Sequence, residues 1–127
     1  MLSVLIVEDH QAVREALVEA FTGWEYSTVS AATMDEAVAE LEKGRFDLVV
    51  TDVDLGGANG LELVRLLGTS QPEVPFILIS GRFGPKEIFD SGFEVGGRLK
   101  YLQKPFLLSQ LQALVAELQR RRSPATN

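Results

Sequence analysis

Hydrophobic and polar positions fall in blocks along this chain, and the period of the blocks alternates. Leu2 to Val7 is an apolar run closed by Glu8-Asp9-His10, the pattern of a strand buried on both faces. Ala12, Val13, Ala16, Leu17, Ala20 and Phe21 then recur at helical spacing, with Arg14, Glu15 and Glu19 opposite and Gly23 as a stop. Residues 25–30 predict a more polar strand suited to a sheet edge. Thr33 with Glu36 is a capping box for a helix that Gly44 ends. Phe46 to Asp52 is a second buried strand, finishing in a carboxylate, and the loop Leu55-Gly56-Gly57-Ala58 follows. Asn59 with Glu62 repeats the capping signal before a leucine-rich helix ending near Gly68. Val74 to Ser80 and Leu99 to Leu102 predict two further strands. Leu107, Leu111, Leu114, Val115 and Leu118 form the stripe of a last helix, where Arg120–Arg122 suit its C-terminal end.

Five strands alternating with helices specify an α/β three-layer sandwich, a parallel sheet with right-handed crossovers and helices on both faces. The length fits one domain over residues 1–122 with a frayed tail at 123–127. One segment resists the pattern. Gly81, Gly84, Gly92, Gly96 and Gly97 crowd residues 81–97, and each glycine inside a helix costs ~1 kcal/mol. The expectation there is a short or irregular helix opening at Pro85, with Ile88 and Phe89 inward, ending at Gly92.

Composition narrows the function. The 127 residues carry a formal net charge of -6, a poor match for nucleic acid. Cysteine is absent, which removes disulfides, thiolate metal sites and cysteine catalysis and fits a reducing compartment. No apolar run approaches a membrane span, and no basic segment precedes the first strand, so a cytoplasmic location is expected. The single histidine, His10, excludes a histidine metal cluster and is expected beside the pocket mouth without chemistry of its own.

In open α/β sheets, ligands bind outside the carboxyl ends of the strands. Four ends here are polar: Glu8 and Asp9, then Asp52, Ser80 and Lys104. In a 2-1-3-4-5 strand order these ends are neighbours. Three carboxylates at one place repel and call for a cation, and an all-oxygen set favours Mg²⁺. Lys104 brings a fixed positive charge and Ser80 a hydroxyl, suited to the oxygens of a transferring phosphoryl group. Asp52, alone at a central strand end, is the natural nucleophile for an acyl phosphate. Asp54 and Arg82, two residues beyond Asp52 and Ser80, are placed to overhang the mouth, the carboxylate opposing an incoming anion and the guanidinium offsetting it. A sharp reversal after Lys104 predicts a cis Lys104–Pro105 bond. Each residue also has a plainer reading: Glu8-Asp9 as turn and helix cap, Ser80 as a strand end, Lys104 as a surface cation, Tyr101 as packing.

Taken in order, Glu8-Asp9, Asp52 in LVVTDVDLGGANGLEL, Ser80 in FILISG, Tyr101 and Lys104-Pro105-Phe106 resemble the receiver domains of two-component response regulators, over residues 2–119. The resemblance implies a flavodoxin-like 2-1-3-4-5 sheet. It implies Mg²⁺ held by Glu8, Asp9, Asp52 and the backbone carbonyl of Val53 or Asp54. It implies phosphorylation of Asp52 by the phosphohistidine of a histidine kinase or histidine phosphotransfer protein, with Ser80 and Tyr101 moving in response. Two departures stand out. Gly56 replaces the proline often found four residues after the phosphoacceptor, predicting a looser loop. The stretch from Ser80 to Lys104 is longer than usual and lacks an alanine-rich helix pattern, which bears on the output surface.

The chain opens at the first strand and stops after the last helix, so the expected output is contact with a separate effector protein or onward phosphotransfer, without multiple turnover. Two other functions use the same residues. Asp52-Val53-Asp54, Ser80 and Lys104 echo the order of haloacid-dehalogenase-type phosphatases, but there the second acidic motif follows the lysine, and no cap domain is present. A receiver-like binding module without phosphorylation is the other alternative, weakened by the full acidic set.

Overall fold

The computed structural model describes residues 1–71, 73–81 and 99–122. The sheet strands are β1 (Ser3–Val7), β2 (Ser27–Ala31), β3 (Leu48–Asp52), β6 (Phe76–Ser80) and β7 (Leu99–Gln103). A two-stranded hairpin, β4 (Asp54–Leu55) and β5 (Ala58–Asn59), follows β3. The helices are α1 (Gln11–Gly23), α2 (Met34–Lys43), α3 (Gly60–Ser70) and α4 (Leu108–Arg122). The sheet runs β2-β1-β3-β6-β7 and every ladder is parallel. Counted by sheet strands alone, that is the 2-1-3-4-5 order expected of a flavodoxin-like fold.

Register explains the unbroken apolar runs. Val50 lies between Ile6 of β1 and Ile77 of β6, and all five residues of β3 are buried. Ala37, Leu41, Leu63 and Val64 of α2 and α3 pack on one face of the sheet with Leu5, Val49 and Leu78. Leu17, Phe21, Leu111, Val115 and Leu118 of α1 and α4 cover the other, over Ile6, Val50 and Ile79. Alternate residues of one strand therefore serve opposite cores, so that in β3 only Thr51 interrupts the apolar run before the carboxylate at its end.

The boundaries differ from the sequence pattern where side chains have local duties. The β2 strand starts at Ser27, because Trp24 and Tyr26 complete α1. The Tyr26 amide donates to the Phe21 carbonyl (2.9 Å), Glu25 takes a positive φ of 67°, and both aromatic rings stand edge-on to Phe21. Thr33 and Glu36 form the expected cap: the Glu36 amide donates to Thr33 Oγ1 (3.1 Å) and Glu36 Oε1 accepts from the Ala32 amide (2.8 Å). Asp9 does not cap α1; the N-cap position is His10, whose side chain makes no capping bond. The looser loop expected from Gly56 is not what forms. Gly56 and Gly57, with φ of 56° and 99°, make the tight turn of the β4–β5 hairpin, a reversal open to glycine at both central positions. The Lys104–Pro105 bond is cis. The expected irregular helix within 81–97, Arg82, and the tail at 123–127 lie outside the described residues, apart from Gly81.

Candidate functional site

Three strand ends and one loop build the site. The first strand runs straight into Glu8 and Asp9, β3 ends on Asp52, β6 ends on Ser80, and the chain leaving β7 turns at Lys104. They border a cleft of about 380 Å³ lined by Glu8, Asp9, Asp52, Asp54, Gly56 and Lys104 among others. Glu8 and Asp52 are buried, at 1% and 6% exposure, whereas Asp9 and Asp54 face solvent.

Lys104 is the hub. Its Nζ donates to Asp52 Oδ2 at 2.8 Å and to Glu8 Oε1 at 3.1 Å. The other Asp52 oxygen, Oδ1, accepts from the Asp54 amide (3.0 Å), and Glu8 Oε2 accepts from the His10 amide (3.2 Å). Both buried carboxylates are therefore fixed at both oxygens, which aims them before any ligand arrives. Burial pushes the Glu8 carboxyl above its usual range, and the charge of Asp52 adds to that push. The His10 amide and Lys104 pull the other way without cancelling it. Burial alone would lower Lys104, but its bonds to Asp52 and Glu8 outweigh that and hold the ammonium above its ordinary value. Lys104 is thus a permanent cation.

Among the described residues the charges do not balance. Carboxylate oxygens of Glu8, Asp9 and Asp52 lie within 4.8 Å of one another, and among the described residues one ammonium faces them. Hard oxygen donors, one of them exposed and able to receive an ion, are a donor set suited to Mg²⁺.

Ser80 is 1% exposed, and its carbonyl accepts the Lys104 amide (2.9 Å), which ties the lysine loop to β6. The half-buried Tyr101 sits on β7 with its hydroxyl 3.5 Å from that same carbonyl. Asp54 stands at the mouth, as its spacing from Asp52 suggests; its anticipated partner Arg82 is outside the described residues. Sequence reasoning passed over Arg14, assigned only to the polar side of α1. Its guanidinium donates to the carbonyls of Glu8 (2.9 Å) and Asp9 (3.5 Å), bracing the acidic turn. The six-residue separation carries no periodic signal, so only the folded turn reveals it.

The response regulator receiver domain model matches residues 4–116 of the chain. The chain is 35% identical over 118 residues to the sensor kinase CckA of Brucella abortus, covering 91% of this chain and 12% of that protein. It is 35% identical over 121 residues to the response regulator MprA of Mycobacterium sp. (strain KMS), covering 95% of this chain and 52% of that one. The chain thus spans about half the length of the response regulators it matches. Among solved structures it is similar to a CheY-like receiver domain protein from Methanospirillum hungatei (TM-score 0.86, 23% identity, 97% of both chains), a likeness of fold. It is also similar to the non-phosphorylated HemR receiver domain of Leptospira biflexa (TM-score 0.82, 29% identity, 93% of this chain and 94% of that one).

Proposed function

This chain belongs to the response regulator receiver family of two-component systems, which is a signalling family and not one of true enzymes, and from that premise we propose that Asp52 is its phosphoacceptor. The observation that carries the reading is the Lys104 ammonium bridging Asp52 and Glu8 at the head of an acidic cleft. A carboxylate oxygen of Asp52 attacks phosphorus, the P–N bond of a donor phosphohistidine breaks, and the imidazole keeps the electron pair. Lys104 stays with the oxygens on which charge accumulates. The Asp54 amide holds the carboxylate plane. Asp9, Glu8, Asp52 and the Val53 or Asp54 carbonyl would hold Mg²⁺, which when bound screens the carboxylates from the incoming anion.

Ser80 and Tyr101 are the proposed responders, since both meet at the Ser80 carbonyl that also anchors the lysine loop. Asp54, exposed at the mouth, is proposed to slow entry of the anion. The donor is a histidine kinase or histidine phosphotransfer protein, and the output is a contact with an effector protein. No helix among the described residues is long and apolar enough to cross a membrane.

The test is labelling with a small phosphodonor and Mg²⁺. Wild type is expected to take up one phosphoryl group, and Asp52→Asn none while keeping its fold. Stoichiometric labelling of Asp52→Asn would falsify the assignment. Repeated turnover of a phosphomonoester by wild type would instead favour the phosphatase alternative.

A further inference from the structure

We propose that Gly60 and Thr51 together grip the main-chain carbonyl of Asp52, and that this grip is what positions the phosphoacceptor; the inference rests on the phosphoacceptor reading above. Gly60 opens α3, directly after the β4–β5 hairpin. Its amide donates to the Val53 carbonyl at 2.7 Å, so the first residue of the helix is stitched to the strand exit. A β-carbon on Gly60 would overlap the Asp52 carbonyl oxygen outright, and would stand 3.1 Å from both the Asp52 carbonyl carbon and the Val53 Cα. The hydrogen that glycine carries in that place points at the oxygen, a weak C–H donor contact that no other residue can offer there.

The fully buried Thr51 donates its Oγ1 hydrogen to the same oxygen at 3.0 Å. The peptide between Asp52 and Val53 is thereby held by a hydroxyl, by the close approach of α3, and by the Val53 amide, which donates to the Ile79 carbonyl at 2.9 Å. This peptide sets the direction of the Asp52 side chain. It also places the Asp54 amide, 3.0 Å from Asp52 Oδ1, and so the plane in which the carboxylate meets Lys104. A methyl group at residue 60 forces either the helix start or this peptide to move. The helix start has little freedom, because Leu63 and Val64 one turn on are fully buried. The peptide is therefore the part that gives, and it carries the carboxylate with it. Displacement of a reacting group by about 1 Å can cost on the order of a hundredfold in rate. Gly60 and Thr51 are thus positioning residues that act through Asp52.

The experiment compares wild type, Gly60→Ala, Thr51→Val and, as a control, Gly44→Ala, where a β-carbon meets nothing within 4 Å. Three quantities are read on the full chain well below each melting temperature: the Asp54 amide proton shift without metal, Mg²⁺ affinity, and the rate of labelling by acetyl phosphate. Gly60→Ala should shift the Asp54 amide upfield as its bond to Asp52 lengthens, weaken Mg²⁺ binding, and slow labelling at least tenfold. Thr51→Val, of similar shape, should move all three in the same direction by a smaller amount, about threefold in rate. Gly44→Ala should move none. A folded Gly60→Ala with a wild-type Asp54 amide shift and wild-type labelling overturns the proposal. If Gly60→Ala does not fold, Thr51→Val decides: unchanged amide shift and rate overturn it, and a shift with slowed labelling supports it. Absence of labelling in wild type would fell the phosphoacceptor reading instead, while the metal-free amide shift still reports on the grip.

Discussion

The two ends of the sheet each hold carboxylates, and they use them in opposite ways. At the amino end, Asp47 sits just before β3 and is paired with neutral donors: its Oδ2 accepts from the Ser3 amide (2.8 Å) and the Ser3 hydroxyl (3.3 Å). Its own amide donates to the Ser3 carbonyl, and Gln119 of α4 reaches its carbonyl (3.3 Å), so one residue laces β1, β3 and α4 together. The half-buried Tyr26 near it has its phenol pushed up by burial and by the Asp47 charge. At the carboxyl end, Glu8 and Asp52 are more deeply buried than Asp47, and among the described residues they share a single ammonium, with the exposed Asp9 beside them. One end is a joint between elements far apart in sequence, in which the Asp47 carboxylate accepts from the amide and hydroxyl of Ser3. The other crowds three carboxylates around one ammonium among the described residues, an excess of negative charge suited to a cation. What separates the two ends is the crowding of carboxylates at one of them.

The comparison breaks most sharply at Lys104. Lys104→Met removes the only cation facing the buried pair among the described residues, and Mg²⁺ affinity should rise on the order of tenfold as a competing positive charge disappears. Labelling by acetyl phosphate should nonetheless fall. Isothermal titration alongside the labelling assay checks both, and a drop in Mg²⁺ affinity would mean that Lys104 organises the ligands and does not compete with the ion.

Acid–base behaviour sharpens the contrast. The folded pKa of Glu8 is raised above 4.5, so its contribution to stability is fully present below pH 4.5 and is lost as pH rises through the raised value. In metal-free protein, Glu8→Gln should therefore lessen the loss of stability over that window. Urea midpoints at a series of pH values test it, and superimposable pH profiles for the two proteins would remove the idea.

The smallest effect belongs to the amino end. Asp47→Ala should cost about 1–2 kcal/mol through the donors it leaves unpaired, with Mg²⁺ affinity and labelling unchanged. A tenfold change in either would show that the two ends communicate.

Much of this was legible beforehand, for identifiable reasons. β3 and β6 are buried on both faces, so their residues read as largely apolar runs, and the residues that end them, the carboxylate Asp52 and the hydroxyl Ser80, stand out. The Thr33–Glu36 cap is local chemistry and is readable as such. What escaped was long-range or backbone-based. Arg14 braces the acidic turn through carbonyls, which every residue has. Thr51 looks like one more strand residue until its hydroxyl is seen on the neighbouring carbonyl. Gly60 looks like an indifferent helix start until the strand exit beneath it is seen. The sequence signal at Gly56 is the missing proline, whereas its positive φ, shared with Gly57, decides the loop's form.

The ammonium–carboxylate bond between Lys104 and Glu8 joins residues 96 positions apart. Every ladder of the sheet is parallel, and each needs its own crossover before it can pair. The cluster is therefore a property of the finished chain. A polypeptide that has not yet emerged past residue 104 during synthesis holds all three carboxylates and lacks their counter-ion. If Asp52 is the phosphoacceptor proposed above, competence for phosphotransfer arrives only once β1 and β7 have been drawn into one sheet.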